Sequence, residues 1–296
     1  MFFAGAAGIV LGAPIVFNLF RGWIGNDFWA GFGAISASWT GGSANMIAVK
    51  EALGTPDAVF TPMVIVDTVV PYIWMGILVA LVKLEPWYDR WNNADRRVLD
   101  DLNRKTKMVA SMKNQRLKWP STIFILFFAG VGSFAAQNIA AGFPAIKDVI
   151  SPYAWTIIIV SALGILLSFT PAKKFESYGS TRIGYFILYF VLTSIGALAS
   201  LLNIGSTFLL IAAGFLLVLI HAAVLVITSR LIKAPLFLVA VASQANIGGV
   251  ASAPMVAEIY QPGLASVGLL LAILGNIVGT YLGIIAGQLC RWITGA

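Results

Sequence analysis

Apolar runs of about 18 residues or more recur along nearly the whole chain, and few of them carry a charge. A helix of that length crosses roughly 30 Å of hydrocarbon, and in lipid only helices and closed barrels satisfy their own backbone. The runs lack the alternation of apolar and polar residues that barrel strands require, so the pattern predicts an all-α polytopic membrane protein. Composition agrees, with 59% of residues hydrophobic and 10% charged, against about a quarter charged in soluble domains. Nine hydrophobic elements are expected, over approximately 2–20, 28–54, 59–83, 121–141, 153–170, 184–204, 206–230, 235–260 and 264–290. The first has no basic segment before it and no cleavage site after it, which predicts a membrane span rather than a signal peptide.

The third and fourth runs are separated by the one long polar segment. It holds ten of the 19 Lys and Arg, counting Lys83, with five acids interspersed. The positive-inside rule makes this segment cytoplasmic, in a bacterial-type inner membrane, and it is expected to contain an amphipathic or solvated helix. "PAKKFESYGSTR" and "RLIK" fall on the same side by count, whereas "NIGS" and "IYQPG" fall opposite and carry no base. Membrane topology thus accounts for the net charge of +7, and no nucleic-acid partner is expected. The expected organisation is a first repeat half over 1–83, the cytoplasmic loop over 84–119 and a second half over 120–296. One cysteine and one histidine exclude a disulfide framework within the chain and a Cys/His metal cluster.

Inside the second run stands "SWTGGSANM", where two glycines beside a serine and an asparagine should weaken a membrane helix. The same device returns as "SQANIGGVASAPMVAE". When the Gly-Gly pairs are superposed, Gly41, Gly42, Ala44, Val49 and Glu51 meet Gly248, Gly249, Ala251, Val256 and Glu258 without a gap. Related halves that each carry a Gly-interrupted segment are the best sequence pointer to a secondary transporter's binding site. Glycine permits irregular backbone, and unwinding exposes peptide groups that can bind an anion at half-helix N-termini or a cation at freed carbonyls. Packing alone would explain small residues. It does not explain Ser43, Asn45, Gln244 and Asn246, each of which costs free energy in hydrocarbon without a partner. Gly41, Gly42, Ser43, Asn45, Gln244, Asn246, Gly248 and Gly249 are therefore the expected substrate-binding residues.

Asp67 lies within the third run, where an ionisable group is a functional hypothesis by default. It is expected to bind Na⁺ or carry a proton, with Thr68 as a neighbouring oxygen and Asn276 as its uncharged counterpart in the second half; no other metal and no organic cofactor is expected. Glu51 and Glu258 fit rim charges as well as site residues. His221 has no visible partner and is expected to be a buried, neutral histidine.

The segments "GGSANMIAVKEAL", "VDTVVPYIWMGIL", "ASQANIGGVASAPMVAE" and "GLLLAILGNIVGTYLGIIAG" resemble the YjcL-like membrane family, a domain of unknown function, over essentially the whole chain. The family is similar to the cation-proton antiporters and anion transporters, a group that includes bile-acid and sodium:glutamate symporters. The resemblance implies inverted halves, a core with two crossed broken elements, a second panel domain, an elevator-like or rocking movement and a homodimer. It matches the glycine segments to the crossover motifs and Asp67 to an acidic position. Thr68 stands where that resemblance implies asparagine, which leaves the ion ligand set open. Relative to typical members, about three N-terminal helices are missing, and a simple count of runs sends both broken segments across the membrane in the same direction.

The expected function is secondary active transport, with Na⁺- or H⁺-coupled uptake of a small organic anion or an amino-acid- or peptide-like solute. A cation/proton antiporter is the nearest alternative. A receptor-like membrane binding protein or an inactive truncated fragment is the alternative of another class. No enzymatic constellation is present in any run.

Overall fold

The computed structural model describes residues 1–95, 119–143, 152–180, 183–184, 186–187 and 204–295, and among these all the regular structure is helical. The α-helices are α1 (Phe2–Ile24), α2 (Phe28–Gly41), α3 (Ser43–Ala52), α4 (Asp57–Ala80), α5 (Glu85–Asn92), α6 (Trp119–Ala141), α7 (Pro152–Ser168), α8 (Ile204–Ile232), α9 (Leu236–Ile247), α10 (Gly249–Tyr260) and α11 (Ala265–Thr294). Among the described residues, five stretches are long and apolar enough to cross a membrane: Phe2–Ile24, Asp57–Asn92, Pro120–Ala141, Thr207–Ile232 and Ala265–Thr294. Most of the expected run 184–204, and residues 96–118 of the polar segment, lie outside the described residues.

The runs 28–54 and 235–260 are not single crossings. Each divides at its glycine pair into two short helices that double back on one another. In the first, α2 ends at Gly41, Gly42 adopts φ 87°, and α3 begins at Ser43. A straight helix would carry Leu53 roughly 30 Å from Gly33. Instead a Cβ on Gly33 would stand 2.7 Å from Leu53 Cδ1. In the second, Gly249 at φ 61° takes the same role between α9 and α10. Laid end to end, these two 12-residue helices would span roughly 36 Å. Yet both outer ends meet α5: Leu236 N donates to Asp89 Oδ1 at 2.9 Å and Gln261 Nε2 donates to Glu85 Oε1 at 3.0 Å. Segment "IYQPG" therefore lies at the same end of the molecule as "RLIK" and α5. This corrects the expectation of opposite sides, which followed from counting a hairpin as a crossing.

α11 organises both hairpins. Gly275, Gly279, Gly283 and Gly287 recur every four residues and face Gly33, Ala37 and Gly41 of an antiparallel α2. A Cβ on Gly279 would lie 2.6 Å from Gly41 Cα, and one on Gly33 would lie 2.8 Å from Gly287 Cα. Only backbones stripped of side chains approach that closely. The open end of the first hairpin is thus near Gly287 and its tip near Gly275–Gly279. The second hairpin approaches from the other end: a Cβ on Gly268 would meet Pro254 N of α10 at 2.8 Å, and Ala245 and Ala253 cluster with Ala272. The two tips point at each other and meet on adjacent turns of α11. Each hairpin lies between two long helices, α1 and α4 for the first and α8 and α11 for the second.

Gly283→Ala places a methyl 2.9 Å from Ala37 Cα and forces the two helices apart. Thermal unfolding in detergent should show a loss of about 1–3 kcal/mol. Gly76→Ala, where nothing lies within 4 Å of the added methyl, should be neutral or stabilising.

Candidate ion and substrate site at the hairpin tips

The last turn of α2 stops because Gly42 leaves the helix after its own N–H has closed on Ser38 O, and Asn45 then closes the corner. Its Nδ2 donates to Gly41 O at 2.5 Å, satisfying a carbonyl that the break would otherwise orphan. Thr280 of α11 donates to Asn45 Oδ1 at 2.5 Å, so the tip is tied across to the glycine-bearing helix. Asn276, one turn before Thr280, has its Oδ1 3.5 Å from a Cβ built on Gly42.

Asp67 reaches the same tip from α4. Its carboxylate faces the Ser38 hydroxyl and the Trp39 indole on the last turn of α2. Trp39 is fully buried, and its Nε1 has no hydrogen-bond partner. Pro71 stands four residues after Asp67 within α4 and has no N–H, so the Asp67 carbonyl lacks its helical donor. A carboxylate and a hydroxyl are thereby gathered beside the first tip, and the residue that carries the carboxylate also has a carbonyl without its ladder bond. Hard cations take such oxygen donors, and a single proton can occupy the carboxylate instead.

At the second tip Gln244 Nε2 donates to Ser252 Oγ at 2.7 Å across the corner, leaving Gln244 Oε1 buried without a donor. Ala242 O and Phe2 O of α1 both face the Asn246 amide, and since carbonyls only accept, the amide is assigned with its nitrogen toward them, donating at 3.1 and 3.2 Å. Behind it runs a polar chain through the apolar core. Trp74 Nε1 donates to Ser243 Oγ at 2.9 Å, and Ser243 Oγ and Gly5 O each lie 2.9 Å from one of the His221 ring nitrogens. A carbonyl only accepts, so Nδ1 carries the proton toward Gly5, and Nε2 accepts from Ser243. The histidine is fully buried with both nitrogens partnered. Its partners Gly5 and Ser243 lie 216 and 22 residues away, and no local signal marks the more distant one.

The structure therefore brings together Gly41, Gly42, Ser43, Asn45, Asp67 and Asn276 at the first tip, and Gln244, Asn246, Gly248 and Gly249 at the second. Asn276, the expected uncharged counterpart of Asp67, stands on α11 of the second half and reaches the first tip from there. Thr68 stays apart, exposed, with its hydroxyl donating to Val64 O of its own helix at 2.9 Å. Glu51 pairs with Lys50 at 2.9 Å and Glu258 accepts from Gly263 N at 3.0 Å, both toward the open ends of the hairpins. Ser38, Trp39, Ser252 and Thr280 are site residues that sequence reasoning missed. Ser38 and Trp39 stood within the quoted motif, and Thr280 stood within the four-residue glycine ladder.

The family model described as "Protein of unknown function (DUF819)" matches residues 1–293. The chain belongs to this family. The DUF819 chain is also 25% identical over 299 residues to the uncharacterized membrane protein YjcL of Bacillus subtilis (strain 168), an alignment covering 96% of this chain and 74% of that protein. No solved structure matches it. The YjcL-like resemblance seen in the motifs is thus confirmed at the level of the family, and the protein is an integral membrane protein of the bilayer.

Thr280→Val removes the donor to a buried Asn45 oxygen while keeping the side chain's volume. It should cost about 1–3 kcal/mol, the usual penalty for an unsatisfied buried acceptor. A double-mutant cycle with Asn45→Ala should return a coupling above about 0.5 kcal/mol; additive losses would mean that the tie across the tip does not hold it.

Proposed function

We propose that this protein is a secondary active transporter that couples Na⁺ or H⁺ to movement of a small organic anion through alternating access. The observation that carries the reading is the meeting of two oppositely directed helical hairpins, tip to tip, on α11. The returning legs α3 and α10 both begin at these tips, so two helix N-termini present unbonded amides and partial positive charge to one region. That arrangement suits an anion of modest charge. Asp67, with Ser38, supplies the coupling-ion position one side chain away. Coupling follows if cation binding there favours the arrangement of α2 and α3 that accepts the anion, which is a differential affinity between two states.

In a bilayer the hairpins would be re-entrant. The units α1 to α4 and α8 to α11 would be inverted repeats, since each sets a hairpin between two long helices and the hairpins enter from opposite ends. The apparent conflict between inverted halves and parallel broken spans then disappears, because neither hairpin crosses. The kinship to cation-proton antiporters and anion transporters, the inner-membrane location and the cytoplasmic side of the basic segment are parts of the same proposal. A cation/proton antiporter is the second reading, favoured by one specific feature, the Asp67 carboxylate standing with the Ser38 hydroxyl beside the first tip, a pairing that requires no organic ligand.

Thermal unfolding of the purified protein across Na⁺, K⁺ and pH, repeated for Asp67→Asn, tests the ion site. A saturating ion should stabilise by about 2.7 kcal/mol at one hundred times its Kd, and the mutant should lose that response. Uptake in proteoliposomes then separates the readings. Anion uptake driven by the ion gradient supports the symporter, whereas ion flux without any organic solute supports the antiporter. No ion response in either protein would remove Asp67 from the mechanism.

A further inference from the structure

Away from the hairpin tips, α4, α5, α8 and α9 line an apolar cavity of about 160 Å³ that is open on one side, walled by Trp74, Leu78, Leu225, Val239, Ala240 and Ser243 among others. The polar atoms at its edge are already engaged: Ser243 with Trp74 and His221, and the Tyr88 hydroxyl with Ser229. An apolar space of this size has room for an apolar fragment about as large as a benzene ring, or for a comparable length of hydrocarbon chain, and offers a water nothing to bond. Its wall continues through Leu81 and Leu84 to Trp87 at the start of α5, where Trp87 and Trp91 stack in the open with ring centroids 6.4 Å apart.

The rim of that opening is cationic. Arg230 lies over the Trp91 ring, 4.9 Å from its centroid, and donates to Trp91 O. Lys83, Arg90 and Lys233 are exposed on the same end of the molecule. The two acids of α5 are turned inward instead: Glu85 accepts from Gln261 and Asp89 caps Leu236 N, and both are buried. The helix thus presents aromatic and cationic groups outward at the end of a spanning segment, where interfacial rings and phosphate groups of lipids lie.

We propose that this cavity is a binding site for an anionic membrane phospholipid, with an acyl chain entering between α4, α8 and α9 and the phosphate held by Arg230 at its rim. The occupant follows from complementarity at both ends, hydrocarbon against the apolar wall and phosphate against the guanidinium rim. A zwitterionic lipid would satisfy the wall but set a choline cation beside Arg230. The site is separate from the hairpin tips and does not depend on the transport reading. It touches the second hairpin directly, because Ser243 and Val239 belong to α9.

The test uses purified full-length protein in detergent, titrated with phosphatidylglycerol, phosphatidylcholine or inorganic phosphate, with thermal midpoint and native mass spectrometry as readouts. Phosphatidylglycerol should raise the midpoint by several degrees and remain bound in the gas phase, with phosphatidylcholine at least fivefold weaker in half-saturation and inorganic phosphate without effect. Ala222→Phe, which fills the cavity, and Arg230→Gln should each remove the preference for phosphatidylglycerol, while Arg230→Lys should retain most of it. Equal responses to the two lipids, an equal response to phosphate alone, or an unchanged preference in a folded Ala222→Phe protein would each overturn the proposal.

Discussion

Backbone contact between α2 and α11 is the constraint on which the rest of the arrangement depends. Lipid tails are as apolar as leucine, so burying apolar surface gives helices little reason to associate within a bilayer, and close packing must supply the attraction. Gly275, Gly279, Gly283 and Gly287 on one side and Gly33, Ala37 and Gly41 on the other bring main chains into contact from Gly33 to the end of α2. This contact fixes register as well as distance. A shift by one residue would turn the ladder away and set Asn276 and Thr280 away from Gly42 and Asn45, which they now meet.

The hairpins resolve a conflict between glycine and lipid. A helix broken in hydrocarbon leaves amides and carbonyls without partners, at a cost of several kcal/mol each. At the first tip Asn45 and Thr280 answer part of that cost, and at the second Gln244, Ser252 and Asn246 do so. The open ends are secured separately. Lys50 bridges Glu51 and Asp57 below the first hairpin, while α5 clamps the second through Glu85 and Asp89. The beginning of the polar segment is therefore a structural brace as well as a carrier of charge, and Asn92 extends the brace by donating to Ser229 O and Ala234 O.

Hydropathy made the membrane class legible, because no soluble fold tolerates so many uncharged runs, and the glycine pairs located both tips to the residue. The course of the two broken runs was not legible. An apolar stretch of this length fits one crossing or two short legs equally well, since hydropathy records solvent and not direction. The deciding information is long-range: Leu53 beside Gly33, and α5 at both ends of the second hairpin. Thr68 shows the same limit on a smaller scale. Adjacent residues on a helix point about 100° apart, so the residue next to Asp67 in sequence faces elsewhere, while Ser38, 29 positions earlier, faces it.

The two tips are alike in chain course but not in attachment, and the difference has energetic consequences. Asn45 and Ser252 occupy equivalent positions when the glycine pairs are superposed. Asn45 is bonded outward to Thr280 of α11, whereas Ser252 is bonded inward to Gln244 of its own hairpin. Among the described residues, the side-chain hydrogen bonds of the second tip run to its own hairpin and to Phe2 of α1, and its contacts with α11 are the close approach of Gly268 to the backbone of Ala253 and Pro254 and the apolar cluster of Ala245, Ala253 and Ala272 with Phe2. Separating the first tip from α11 therefore costs a buried hydrogen bond in addition to close glycine packing. Separating the second costs close packing alone, with its internal bond carried along intact. Two repeats with one course thus yield one anchored tip and one that can leave α11 without unmaking its own corner.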